Sequence, residues 1–449
     1  MSKTLLAALL AAACAGSRAP DATGTTSTSD AGTDAGADGS GGAGDAETPN
    51  GGGATNDGGA ANGGGAANGG GATTVRVHYP AGSHRLTLRG SAAPLDWTHG
   101  LALTAGANDT WTATLAGVAA TLEVKPLLDD ATWARGANYH IAPGATVDLY
   151  PHFTSSAGRV ATLLPTFHST VIGNDRAIYA YYPASYDENP TAAYPVVYVH
   201  DGQNLWAAHP ELAFGGTWNV DTAFDAAGEQ GACSAGGVAG WGAQPLGASP
   251  TTCTGDGDCA SHECRTFREA IVVGVANTSG RGYEYTPTSD PAYDSQIGPS
   301  GGADAYLKML VTELKPQVDA MLRTRPGRAD TAIVGSSLGG LVSAYAGTTH
   351  AETFGLVGAL SPSTWWNNDV LVGDASRTGA TRPLLVYVDS GQGSADDEAD
   401  TDLLASAYHA LGYVDGVTFR HVVQPGAAHS ETYWAERFPG AMQLLLGAR

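Results

Sequence analysis

Two segments of the chain set a serine between glycines at the spacing Gly-x-Ser-x-Gly: Gly298-Pro299-Ser300-Gly301-Gly302 and Gly335-Ser336-Ser337-Leu338-Gly339. A serine hydroxyl is a weak nucleophile until a neighbouring base takes its proton, so it must stand on a turn that presents it to one. Only the second segment has suitable flanks. The β-type run Thr331-Ala332-Ile333-Val334 leads into it and an apolar helical stretch leaves it; the first follows Asp294-Ser295-Gln296-Ile297 and contains Pro299. Strand, sharp turn and helix together lift a serine Oγ above the strand ends, and Gly335, Gly339 and Gly340 keep that turn uncrowded. The N–H of Leu338, opening the helix, is then aimed at the oxygen of a carbonyl under attack.

A base and an acid are expected downstream of the serine. Four histidines follow Ser337. His350 ends the helix after the turn, His409 lies inside a helical pattern and His421 inside a strand. His429 alone follows the last strand on a loop, Pro425-Gly426-Ala427-Ala428-His429, and is the expected base. For the acid, the segment after residues 384–389 offers Asp396, Asp397 and Asp389, with Asp396 preferred and Asp397 second. The second oxyanion donor is expected after residues 194–200, where Gly202 permits close backbone approach to a substrate and the N–H of Gln203 donates. His200-Asp201 precedes the nucleophile and is read as structural.

These residues need a scaffold. From about residue 159, strand-like runs (194–200, 270–275, 331–334, 355–360, 384–389 and 417–423) alternate with helical patterns at 303–322, 338–348 and 400–411. Continuous apolar strands alternating with helices predict an α/β domain over 158–449, its mostly parallel sheet covered on both faces. Residues 74–157 instead show short alternating segments separated by turns, the pattern of a small all-β sandwich. Trp97, Trp111 and Trp133 there read mainly as core, with a sugar-binding platform as the other reading. Cys233, Cys253, Cys259 and Cys264 fall in an insertion at about 230–266. An even number in an exported chain predicts two disulfides in place of a zinc site, since no Cys-x-x-Cys pair occurs. Gly255-Asp256-Gly257-Asp258 reads as a solvated turn; no metal site is expected.

The N-terminus has a charged start, Met1-Ser2-Lys3, then a short apolar run ending in Ala11-Ala12-Ala13-Cys14. This is too short to span a bilayer and predicts a lipoprotein-type signal peptide over 1–14, with Cys14 lipidated. Membrane association is expected only through that anchor, leaving the protein facing periplasm or exterior; otherwise it is secreted. Residues 15–73 are rich in Gly, Ala and Asn and predict a flexible tether with a reach of roughly 40–45 Å. A formal charge of −22 and only four lysines exclude a nucleic-acid partner, which would need clustered cations.

Several segments together resemble the esterase D group of α/β-hydrolases, which includes enterochelin and feruloyl esterases. They are His200-Asp201-Gly202-Gln203-Asn204-Leu205-Trp206, Arg281-Gly282-Tyr283-Glu284-Tyr285-Thr286-Pro287, Gly301-Gly302-Ala303-Asp304-Ala305-Tyr306, residues 334–341, Leu360-Ser361-Pro362-Ser363-Thr364-Trp365-Trp366 and residues 425–429. Residues 88–97 look like the immunoglobulin-like early-set module that precedes some esterases. The resemblance implies an α/β-hydrolase fold and Ser337 and His429 as nucleophile and base. It also implies hydrolysis of a small-molecule or polysaccharide-linked carboxylic ester through an acyl-enzyme, with no cofactor. It places Trp365 and Trp366 near the acyl cleft, at most one of them facing substrate. Arg281 either attracts an acidic substrate or pairs with Glu284. Two other readings are an acyltransferase on the same triad and a non-catalytic carbohydrate-binding lipoprotein.

Overall fold

The computed structural model describes residues 72–233, 251–376 and 381–447, all within one compact unit. The leader with Cys14, the linker up to residue 71 and part of the cysteine-bearing insertion lie outside the described residues. Among the described residues, no helix is long and apolar enough to cross a membrane.

Residues 73–149 form two sheets. One orders Thr104–Ala105, Thr110–Leu115, Thr73–His78 and Thr146–Leu149; the other contains Leu101–Ala102, Leu86–Gly90, Leu122–Leu128, Thr132–Trp133 and Tyr139–Ile141. Alternation decides the inside: Val75 and Val77 are fully buried, while Arg76 between them is exposed. Trp111 packs against this core and donates its indole N–H to the Tyr79 carbonyl, 3.2 Å. Trp97 and Trp133 stand beside each other outside it, ring centroids 6.1 Å apart.

The α/β part carries an eight-stranded sheet of β1 (Arg159–Ser169), β2 (Asn174–Tyr182), β3 (Val196–His200), β4 (Ile271–Val275), β5 (Thr331–Ser337), β6 (Leu356–Pro362), β7 (Leu385–Gly391) and β8 (Phe419–Gln424). Their order is β1-β2-β4-β3-β5-β6-β7-β8, with β1 and β2 antiparallel and the remainder parallel. Every residue of β3, β4, β5 and β6 is buried, as expected of strands covered on both faces. Neighbouring residues serve opposite faces. Tyr198 and Ile333 join the cluster under α2 (Ala303–Met309), α3 (Leu338–Thr349) and α4 (Glu398–Ala410), whereas Val197 and Val334 pack on the other side. There α1 (Val220–Glu229) and α5 (Glu431–Leu445) contribute Phe224, Phe438 and Met442. This is the α/β-hydrolase fold.

Glu188 joins the two-sheet part to the α/β part. Its carboxylate accepts from Tyr79 Oη (3.0 Å), the Thr154 hydroxyl (2.5 Å) and the N–H groups of Phe153 (2.6 Å), Thr154 (3.0 Å) and Ser155 (2.9 Å). Burial alone would raise its pKa, but these donors outweigh burial and hold it down at about 2. A carboxyl depressed by folding stabilises above its unfolded pKa of about 4.3, and that contribution is lost as pH falls through the folded value. The thermal midpoint of the wild-type protein should therefore fall more steeply between pH 5 and about 2 than that of Glu188→Gln. Parallel curves would remove Glu188 from the acid sensitivity.

The four cysteines form two disulfides, Cys233–Cys259 and Cys253–Cys264. They close a three-stranded sheet of Thr252–Cys253, Gly231–Cys233 and Cys264–Arg265. The acids of this loop serve its turns: Asp258 accepts from the N–H groups of Thr254 and Gly255, and Asp256 from that of Cys264.

Candidate active site

Ser337 ends β5 at φ 58° and ψ −125°, and α3 begins at the next residue. A non-glycine residue at positive φ stores strain, which persists only where the surroundings enforce it. Here Gly335 helps to enforce it. A Cβ there would lie 2.6 Å from the Gly339 carbonyl and 2.7 Å from the His200 ring, so the strand end, the first turn of α3 and the end of β3 close on one another. Ser337 does not cap its helix, and its carbonyl accepts from the N–H of Ser363 (3.0 Å) on the neighbouring chain segment. The other Gly-x-Ser-x-Gly serine, Ser300, follows no strand, and its hydroxyl is engaged with Asp294 and the N–H of Asp290.

His429 lies on the loop between β8 and α5. Its Nδ1 meets Oδ1 of Asp396 at 2.6 Å, and its ring stands edge-on to Trp434, centroids 5.0 Å apart. Gly391 makes this possible at the end of β7: a Cβ there would lie 2.3 Å from the Ala427 carbonyl, so the histidine loop rests directly on the strand end. Asp396 follows the turn Gly393–Ala395; its Oδ2 accepts from the Gly391 N–H (2.6 Å) and the Ser361 hydroxyl (2.5 Å). Burial opposes its charge, but His429 first, then Ser361 and Arg437, hold its pKa below the ordinary carboxylate range. Asp397 instead begins α4 at φ 51° and is not the carboxylate that meets His429. Asp389 is fully buried and faces Arg437 Nε at 3.0 Å.

Gly202 and Gln203 lie in the 3₁₀ turn Gly202–Asn204 directly after β3. The glycine is required there by packing. A Cβ would come within 2.3 Å of the Gly274 backbone on β4, so the sheet itself requires a glycine here. The Gln203 side chain accepts from the Asn277 N–H, 3.2 Å. Asp201 sits at φ 55° and is gripped by Arg281 through Nε at 2.8 Å and Nη2 at 2.9 Å, and by Asn277 Nδ2 at 2.5 Å. Arg281 is therefore buried against Asp201 in place of the expected pairing with Glu284, which is taken by Arg176 and Asn174. Removing one partner of a buried ion pair leaves the other uncompensated. Arg281→Ala should cost about 3–5 kcal/mol of stability, measured by denaturant unfolding; a loss below 1 kcal/mol would show that Asp201 finds other support.

His200 itself is buried with Nδ1 on Tyr306 Oη (2.9 Å), and burial pushes its pKa down to about 3. It stays neutral at physiological pH. Trp365 and Trp366 both lie inside: Trp366 is fully buried and donates to the Thr288 carbonyl (3.0 Å), and Trp365 is 5% exposed, with Tyr293 packed against both. Both are thus packed in the core, and of the two only Trp365 retains any exposure. Sequence reasoning missed Ser361, Trp434 and Arg437. A signal existed for the last: Arg437 interrupts the apolar stripe Trp434, Phe438, Ala441, Met442 and Leu445 of α5, and a charge within a buried stripe requires a buried partner.

The fold is that of the α/β-hydrolases, with Ser337, Asp396 and His429 at or beyond the carboxyl ends of β5, β7 and β8. Residues 257–445 match the esterase family model, described as "Putative esterase". The chain is 34% identical over 105 residues to a siderophore enterobactin esterase of Emericella nidulans, covering 22% of this chain and 34% of that one. It is 33% identical over 95 residues to a siderophore triacetylfusarinine C esterase of Aspergillus fumigatus, covering 21% and 31%. The chain thus spans about a third of the length of these curated relatives. Among solved structures, an IroE-like serine hydrolase from Shewanella oneidensis is similar at 20% identity and a TM-score of 0.44, over 64% of this chain and 80% of that one.

Proposed function

We propose that this protein is a serine carboxylic-ester hydrolase. The observation that carries the reading is the 2.6 Å link between His429 Nδ1 and buried Asp396, on the loops that follow β8 and β7 at the same end of the sheet as strained Ser337. With Nδ1 bonded to the carboxylate, Nε2 is the atom free to accept a proton. In the proposed cycle Ser337 Oγ bonds to the ester carbonyl carbon as its proton passes to His429. The negative oxygen is met by the N–H groups of Leu338 and Gln203. The carbon–alkoxide bond then breaks, His429 returns the proton to the departing alcohol, and water repeats the sequence to free the acid. No cofactor enters these steps.

The matched relatives are siderophore esterases, and a small-molecule siderophore ester is accordingly the first substrate class to offer, with feruloylated or acetylated polysaccharide second. We read residues 74–157 as an immunoglobulin-like early-set module and Cys14 as the lipid attachment point of an exported protein. The reading is tested with a fluorophosphonate, which bonds covalently to an activated serine. Mass spectrometry of the treated protein should find the adduct on the peptide bearing Ser337, alongside release of p-nitrophenol from short-chain esters. An adduct elsewhere, or none in a folded protein, would refute the assignment.

A further inference from the structure

Behind the carboxylate that meets His429 lies a closed polar cluster whose hydrogen-bond arithmetic has one solution. Arg437 of α5 is 1% exposed. Its Nη2 donates to Ser361 Oγ (2.6 Å) and lies 3.4 Å from Asp396 Oδ2, its Nη1 donates to Gln424 Oε1 (3.0 Å), and its Nε faces Asp389 at 3.0 Å. Trp434 Nε1 also donates to Ser361 Oγ, 3.0 Å. Guanidinium and indole can only donate, so the two lone pairs of the Ser361 hydroxyl are both taken. Its single proton must go to Asp396 Oδ2. That oxygen also receives the Gly391 N–H, which leaves Oδ1 as the oxygen turned to His429. Meanwhile the Ser361 N–H donates to Asp389 Oδ1 at 2.9 Å, tying the second buried carboxylate into the same cluster.

We propose that Arg437 and Ser361 are positioning residues: they aim Oδ1 of Asp396 at His429 and hold that carboxylate ionised. The proposal rests on the serine-hydrolase reading of the site. Its electrostatic content is that two buried carboxylates share one guanidinium, and the histidine cation formed as Ser337 attacks closes the balance. The titratable and charged groups facing Asp396 and its partners are Asp389 and Tyr387 on β7, Arg420 and His421 on β8, His429 on its loop, and Glu431, Glu436 and Arg437 on α5. Of the cations among them, Arg437 contacts Asp396 from inside the cluster.

The sign of the effect follows. Without Arg437 the field at His429 is more negative and Asp396 takes up a proton more readily. Both changes move the acid limb of the kcat/KM profile to higher pH. Arg437→Gln should shift that limb upward by about one unit, the low end for a charge at this distance, and lower kcat more than it raises KM. Arg437→Lys, which restores the charge without the fork, should return the limb toward wild type while kcat recovers only in part. A merely structural arginine would lower the active fraction and leave the limb in place.

Two further variants guard against misfolding. Asp389→Asn combined with Arg437→Gln removes one charge of each sign, and Ser361→Ala removes none; each should still shift the limb upward. The imidazole titration of His429, followed by NMR in wild type and variants, gives the same answer without turnover. An upward shift of that titration supports the proposal even if no substrate is found, whereas an inactive wild type alone bears only on the hydrolase reading. Folded variants in which neither limb nor titration moves would overturn it.

Discussion

Ser337→Ala should abolish ester hydrolysis while leaving the protein as stable as before. Removing the nucleophile of a serine triad costs about a million-fold in kcat, with a residue of roughly 10³–10⁴ over water from the oxyanion donors and binding. The structural argument for undisturbed folding is specific. The Ser337 side chain caps nothing, and alanine inherits the same backbone strain at φ 58° without adding bulk to the turn. The measurement is p-nitrophenyl ester turnover beside a denaturant titration. Unchanged turnover would end the proposal, and a large loss of stability would make the activity result uninterpretable as chemistry.

The second large effect separates two adjacent acids. Asp396→Asn should reduce kcat by about 10⁴, as wrong-tautomer variants of other triads do. The cluster dictates why. The Ser361 hydroxyl and the Gly391 N–H both donate to Oδ2, so the amide nitrogen of asparagine cannot sit there and must turn to His429. An N–H facing Nδ1 makes Nδ1 the acceptor and puts the ring proton on Nε2, where it cannot take one from Ser337. Asp397→Asn should change the rate less than about twofold, since asparagine tolerates the left-handed backbone at φ 51° at least as well as aspartate. Equal effects at both positions would mean that the acid had been misassigned.

The contrast between these neighbours marks where sequence ceased to suffice. The strand before Ser337, the helix after it and the loop bearing His429 follow from local periodicity, and the glycine, serine and leucine positions around the turn obey short-range rules. Within Asp396-Asp397, by contrast, only the backbone turn at Gly393–Ala395 decides which carboxylate faces inward. For Arg281 the sequence offers an acidic substrate or Glu284, three residues away, as partner, whereas the fold brings it Asp201 from the adjoining strand end. The close packing of Gly202 on Gly274 could not be read locally, because β4 lies far along the chain. For the tryptophan pair sequence left packing and substrate contact both open, because their surroundings depend on Thr288 and Tyr293 arriving from a distant loop. The long β1–β2 hairpin passed unnoticed, its burial being too irregular for a clean period of two.

The stapled loop carries a consequence for how the protein matures. Although it interrupts the α/β part between β3 and β4, it reaches the two-sheet part: Thr254 accepts from the Asn138 N–H at 2.8 Å, and the Asp256 N–H donates to Glu123 at 2.8 Å. Both contacts lie in the stretch that Cys253–Cys264 cross-links. Elsewhere the two parts are joined by Glu188, by Asn189 Nδ2 donating to the His78 carbonyl at 2.9 Å, and by Arg135 Nε donating to Glu229 at 2.8 Å; a chain whose thiols are still reduced has these contacts but lacks the cross-link that holds the loop. Oxidation of Cys253 and Cys264 thus sets the shape of the loop that bears these two hydrogen bonds to the two-sheet part.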